Sequence, residues 1–313
     1  MAEWLYEAGI GEDRAALVEA GRIVEAAIEL PGRLRVGLVA RARLVGLMPG
    51  RQGRVTLEAG GDALLDPVPH GTAQGGALTV RIVREAIPEP GRAKLPRAVA
   101  ADEPVSEGPT LFDRISASEY PVRRLLSHQP DDLEAAGWSE LLDEAERGEI
   151  AFPGGALRMS PTPAMTLFDV DGQPPLAALA LAGARAAAEA IRRHGIGGSI
   201  GIDFPTLPGK AERQSVAAEI DAALPQPFER TAVNGFGFLQ IVRPRPRASL
   251  PELLRTDPVG AAARATLRRL EREPPGGSDR HRLPPAVLAR IEAEGWTAEL
   301  VRRTGRTPIW DRL

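Results

Sequence analysis

Apolar positions fall in short, strand-like runs over the first third of the chain and recur at helical spacing later on. Ala15-Ala-Leu-Val18 and Arg22-Ile-Val-Glu-Ala-Ala-Ile28 flank Glu19-Ala-Gly21, a pattern that predicts a hairpin. From residue 34 to 100 the pattern is all-β. Segments 36–47, 53–57 and 77–83 read as strands, punctuated by Pro49-Gly50, Gly60-Gly61, Gly75-Gly76 and Pro90-Gly91. About five short strands in such a span is the size of a small OB-type barrel. Residues 101–150 are acidic and turn-rich, and their helical stretch at 131–147 reads as a linker or surface helix.

The best-defined unit comes next. Segment 164–168 predicts a strand, 175–194 an Ala/Leu-rich helix and 198–202 a second strand. A crossover of that length suits parallel, right-handed pairing. A helix at 211–224 and a strand at 237–242 follow. Arg243-Pro-Arg-Pro-Arg247 closes the unit as a stiff basic linker, because proline cannot continue a sheet. The tail predicts helices at 259–273 and 285–294, split by Pro274-Pro-Gly-Gly277.

Composition narrows the chemistry. The chain has 313 residues and no cysteine, which excludes disulfides, thiolate zinc sites and thiol nucleophiles. No run approaches a membrane span, and the start lacks a signal-peptide pattern, so a cytoplasmic protein without membrane contact is expected. A net charge of −3 hides an asymmetry. Residues 101–150 carry 4 basic and 13 acidic side chains, whereas 243–313 carry 15 and 9. A bound polyanion is therefore expected to meet the tail.

Two acids stand at strand ends, Asp169 and Asp203, where open α/β sheets bind ligands. Neighbouring strands lie about 4.8 Å apart, so both carboxylates could reach one hard cation, and Mg²⁺ prefers such oxygen ligands. Asp171 adds a third acid on the same edge. Acids at strand ends are also ordinary solvated turn residues. Thr166-Leu-Phe-Asp-Val-Asp-Gly172 offers an alternative: it is similar to the first motif of haloacid-dehalogenase-type phosphatases, with Asp169 as nucleophile and Asp171 as general acid. Gly197-Gly-Ser-Ile-Gly201 fits a nucleophile elbow, but Ser199 falls at a strand start and reads as structural. His70, His128, His194 and His281 show no metal-ligand spacing. His194 ends the crossover helix, where a cation suits the dipole.

Taken together, Phe168-Asp-Val-Asp-Gly172, Ile196-Gly-Gly-Ser-Ile-Gly-Ile-Asp-Phe204, Glu212-Arg-Gln214 and Asn234-Gly-Phe-Gly-Phe-Leu-Gln240 resemble the catalytic core of the ribonuclease E/G family. Glu12-Asp-Arg-Ala-Ala-Leu-Val-Glu-Ala-Gly-Arg-Ile-Val-Glu25 is similar to the family's opening hairpin, and Gly91-Arg-Ala-Lys-Leu95 to the end of its inserted OB module. The resemblance implies an α+β and α/β mosaic. A small N-terminal, ribonuclease H-like remnant (1–32 with 101–150) would carry an inserted OB module (33–100). A deoxyribonuclease I-like α/β catalytic domain (151–248), built on a parallel strand–helix–strand core, and a basic helical segment (249–313) would follow.

By the same resemblance, Asp169 and Asp203 bind Mg²⁺, and Asp171 stands where the family has a phosphate-positioning asparagine. The activity implied is endonucleolytic hydrolysis of single-stranded RNA by metal-activated water. Lys94, Arg213, Arg243, Arg245 and Arg247 are the RNA-contact candidates. The family's 5′-sensor motif and zinc-link cysteines are absent, so cleavage independent of the 5′ end and no zinc-mediated tetramer are expected. A homodimer is the implied assembly. Val55 and Leu64 stand where base-stacking aromatics are expected on the OB module. A catalytically inactive RNA-binding protein on the same fold is the competing reading.

Overall fold

Glu3–Ala8 (β1), Asp13–Glu19 (β2) and Arg22–Glu29 (β3) form an antiparallel meander in the computed structural model, which describes residues 1–89, 91, 93–274 and 276–312. Pro90 and Pro275 of the expected turns, and Arg92 in the 91–95 segment, lie outside the described residues. Ala20 (φ 49°) and Gly21 (φ 75°) make the β2–β3 turn in left-handed backbone, the geometry that matches strand twist in a two-residue hairpin.

Val39–Met48 (β4), Gln52–Leu57 (β5), Asp62–Leu65 (β6), Ala77–Arg84 (β7) and Arg97–Ala100 (β8) close into a barrel in the order β4-β5-β6-β8-β7. β6 and β8 run parallel, and the other neighbours run antiparallel. Leu44, Val55, Leu65, Val80 and Ile82 fill the interior. Val55 therefore points inward and is not part of an RNA-facing surface, because period-two alternation sends Arg54 and Thr56 out instead. Leu64 is half-buried.

The chain then returns to the first sheet. Leu111–Ser116 (α1) starts at a capping box between Thr110 and Asp113, and sets Leu111 and Ile115 against Trp4 and Tyr6. Val122–Arg124 (β9) pairs in parallel with β1. Asp132–Ala135 (α2) and Trp138–Arg147 (α3) cover the opposite face, packing Leu133, Trp138 and Leu141 against Leu5 and Ala16. Residues 101–150 are thus neither linker nor surface helix. Trp138, Leu141 and Ala145 recur at helical spacing and are buried, whereas most of the acids between them remain in water.

Glu149–Phe152 (β10), Gly155–Pro161 (β11), Thr166–Gly172 (β12), Gly198–Asp203 (β13), Glu229–Arg230 (β14) and Phe238–Arg243 (β15) form a six-stranded sheet in the order β10-β11-β12-β13-β15-β14. β12 and β13 are its parallel pair, joined by the crossover helix Leu176–Arg193 (α4). Lys210–Ala223 (α5) packs beside α4. Alanines 180, 184, 187 and 188 let α4 sit close to the sheet. At Gly183 a Cβ would lie 2.5 Å from Val170 Cγ1, so even alanine is excluded there without a shift. Helices cover this face of the sheet, and the acidic residues of β12 and β13 are exposed on the other.

Leu250–Thr256 (α6), Pro258–Glu271 (α7), Arg280–Leu283 (β16), Pro285–Ala293 (α8), Trp296–Thr304 (α9) and Ile309–Arg312 (β17) complete the chain, with β16 and β17 parallel. The protein is thus a mixed α+β structure with a closed five-stranded barrel and, among the described residues, nine α-helices. No described helix is long and apolar enough to cross a membrane.

The tail arginines are not a free basic face, as their charge suggested. Arg264, Arg268 and Arg272 recur every four residues along one side of α7 and its cap, and meet acids of the N-terminal sheet. Arg264 Nε lies 2.8 Å from Glu12, and Arg268 Nε lies 3.0 Å from Glu7. Arg272 also pairs with Glu7, Arg268 reaches Asp131 at 2.5 Å, and the fully buried Arg14 joins Glu7 and Glu12. Burial opposes ionisation of Glu7, yet Arg14, Arg268 and Arg272 outweigh it and hold its pKa below the usual 4.5.

Removing one partner leaves uncompensated buried charge, a loss of about 3–5 kcal/mol. Glu7→Gln is expected to lose stability of that order in urea unfolding at neutral pH. The sign with pH follows from the depressed folded-state pKa. The Glu7 contribution is complete above the ordinary value of 4.5 and disappears as pH falls through the lower folded value. The gap between wild type and variant should therefore narrow on acidification below that range.

Candidate active site

Alternation along β12 turns Thr166, Phe168 and Val170 towards α4, and Leu167, Asp169 and Asp171 to the open face. On β13, Ile200 and Ile202 face the core and Asp203 faces out. The parallel register sets Asp169 directly opposite Asp203. Both carboxylates are exposed. Partial burial, then the like charges of Asp171 and Asp203, raise the Asp169 pKa, while Arg158 opposes the rise.

Asp169 is not the last residue of its strand. β12 runs to Gly172, paired with β11, and places Arg158 opposite Asp169. Arg158 Nε lies 3.5 Å from Asp171 Oδ2. Asp171 therefore faces a cation, and the three acids do not converge. Among the described residues no group of three or more His, Asp or Glu side chains is gathered to hold a metal ion. What the geometry supplies is an oxygen-donor pair, Asp169 and Asp203, with Asp171 two residues along.

An aromatic edge borders this pair. Phe238 is registered with Asp203, and its ring covers Gly201, where a Cβ would meet Phe238 Cζ at 2.6 Å. Two residues back, Phe236 is 85% exposed. The turn holding it is fixed by Asn234, whose Oδ1 accepts from Phe236 N at 2.9 Å and Phe238 N at 3.0 Å. Gly237 completes the turn with φ +94°, its backbone close against Phe204 O. Phe236 lies within the 234–240 motif but was given no role at the site from sequence. A phenylalanine between two glycines at a strand start was the available signal.

The cationic candidates fall in three separate places: Arg213, Lys94 and the 243–247 run. Arg213, in the first turn of α5, is at the Asp203 end of the sheet, where its Nη1 donates to Leu207 O (2.7 Å) and Pro208 O (3.1 Å). Lys94 pairs with Glu89 at 2.5 Å and donates to Pro163 O at 3.3 Å, tying the barrel to the loop before β12. Arg243 is registered with Gly198, at the far end of β13 from Asp203, about 17 Å away at strand spacing. Arg245 pairs with Glu252, and Arg247 Nε lies 3.1 Å from Glu85. The Arg243–Arg247 run is therefore not beside the acids.

Ser199 lies within β13, away from any strand-to-helix elbow. His194 does end α4, but it is fully buried, and burial lowers its pKa despite Glu144 Oε2 at 3.3 Å. Burial thus disfavours the helix-end cation that its position suggested. No protein-family model matches the chain, and no curated protein matches it either.

The Gly201 contact yields a direct check. Gly201→Val should force Phe238 and Leu167 off the sheet and cost about 1–3 kcal/mol of stability in thermal or urea unfolding. Unchanged stability would show that the aromatic edge is not packed as described.

Proposed function

We propose that the protein is a Mg²⁺-dependent endoribonuclease of the ribonuclease E/G kind, cutting single-stranded RNA at Asp169 and Asp203 independently of the 5′ end. The observation that carries this reading is the parallel register of β12 and β13, which sets the two exposed carboxylates side by side on the uncovered face. The barrel adds support. Its order β4-β5-β6-β8-β7, with one parallel contact between β6 and β8, is consistent with an OB-type module.

The donor set fits the ion, because Mg²⁺ commonly binds through one or two carboxylates and keeps waters and substrate phosphate in its other positions. Asp169 and Asp203 would hold it. When bound, such an ion polarises a phosphate oxygen and lowers the pKa of water. Partial burial and, after it, the like charges of Asp171 and Asp203 raise the Asp169 pKa, and a bound cation would relieve that repulsion. Arg158 offsets the charge of Asp171 next to an incoming phosphate. The exposed Phe236 ring offers a base a stacking surface at the Asp203 end. Arg213, anchored by two carbonyls, keeps a cation at that same end.

Cleavage of a labelled single-stranded RNA with Mg²⁺ or EDTA tests the reading. Asp169→Asn and Asp203→Asn are expected to lower the metal-dependent rate at least about a hundredfold with folding intact. RNAs with 5′-monophosphate and 5′-hydroxyl ends should be cut at equal rates. Phe236→Ala should weaken RNA binding by about 1–3 kcal/mol. RNA bound but uncut would overturn the enzyme and leave an RNA-binding protein. Turnover of p-nitrophenyl phosphate with no action on RNA would instead point to a phosphomonoesterase using Asp169 and Asp171.

A further inference from the structure

A cleft of about 750 Å³ opens where the end of β3, α1, the end of α4 and residues 243–250 meet. Small-molecule sites commonly span about 300–1,000 Å³. Seven arginines and four glutamates line the cleft, an excess of positive charge. Several carboxylates are already engaged: Glu29 bridges Arg35 and Arg114, Glu85 lies against Arg247, and Glu25 lies 3.5 Å from Arg192.

Among the described residues, Arg33 and Arg243 are the cleft arginines in no ion pair; Arg33 is exposed, and Arg243 is half-buried. The nearest polar contact of Arg243 is a long one, Nη1 to Ile196 O at 3.4 Å, and its buried Nε has no partner among the described residues. Buried polar atoms normally have partners, so each exception calls for one. Here the exceptions cluster. Arg245 Nε and Trp4 Nε1 also lack hydrogen bonds, and both residues line the same cleft. Trp4 is 5% exposed. Indole and guanidinium groups can only donate, so what would satisfy them is an acceptor-rich anion. Guanidinium groups in particular match phosphate oxygens.

The remaining walls are apolar. Ile28, Leu30, Pro225 and Pro227 line one part of the cleft, and Tyr120 adds an aromatic surface. Phosphate-binding donors beside an apolar wall are the chemistry of a nucleotide, with room for both ends. We propose that this cleft binds a free nucleoside phosphate of diphosphate size, its phosphate oxygens on Arg243, Arg245 and Trp4. The site is separate from Asp169 and Asp203, about 17 Å along the sheet, and binding there does not depend on cleavage.

The same phosphate chemistry could come from an RNA backbone, so the test includes both sources. The full-length protein is titrated calorimetrically with ADP, inorganic pyrophosphate, adenosine and a short 5′-hydroxyl oligouridylate. ADP should bind at one site per chain, pyrophosphate more weakly, and adenosine more weakly still. Arg243→Gln, which breaks no ion pair among the described residues, should weaken ADP at least about tenfold. Arg33→Gln, at the exposed rim, should weaken it less. Asp203→Asn should leave ADP affinity unchanged even if it abolishes RNA cleavage, which separates this inference from the nuclease reading. Absence of ADP and pyrophosphate binding would overturn the proposal. So would wild-type affinity in Arg243→Gln, or displacement of ADP by stoichiometric oligouridylate.

Discussion

The parallel pairing of β12 with β13 is the constraint on which the rest of the site depends. Two parallel strands need a crossover, and α4 supplies one that buries an alanine-rich face against Phe168, Val170, Ile200 and Ile202. Packing one face this tightly fixes which residues of each strand face out. A slip of one residue would bring Asp169 or Asp203 into the alanine-lined core, where an unpaired carboxylate is prohibitive. The register that satisfies the core therefore also sets the two acids opposite each other.

A second constraint holds the ends of the chain together. Glu7 on β1 and Glu12 in the β1–β2 turn meet Arg264, Arg268 and Arg272 on α7 and its cap, around the fully buried Arg14. Buried charges on one element require partners on the other, so this network specifies docking as well as contributing to stability. It also consumes cations that a count of charges would assign to a polyanion. Arg243, by contrast, is half-buried beside the cleft and forms no ion pair among the described residues.

Much of this was legible in the sequence where a pattern repeats. The strand–helix–strand core follows from its apolar runs, as do the β2–β3 hairpin and three of the barrel strands. β6, β8, β10 and β14 are four residues or fewer, too short for alternation to register. β1 and α3 were obscured for opposite reasons. β1 is buried on both faces and lacks alternation, while the many acids of α3 mask the helical spacing of Trp138, Leu141 and Ala145. At the site, the pairing of Asp169 with Asp203 was readable from two strand ends. The separation of Asp171 was not, because it depends on Arg158 from β11, a strand the pattern did not reveal. Arg243, Arg245 and Arg247 were visible as a basic run, but their distance from the acids follows only from the antiparallel β13–β15 register.

Asp169 and Asp203, side by side on neighbouring strands, should act as one cation-binding pair. Titration of the metal-free protein with Mn²⁺, read by electron paramagnetic resonance, tests it without relying on catalysis. One ion per chain is expected for the wild type, with binding lost in both Asp169→Asn and Asp203→Asn and retained in Arg243→Gln. Binding that survives either aspartate substitution, or no binding at millimolar Mn²⁺, would show that the two carboxylates do not form a cation site.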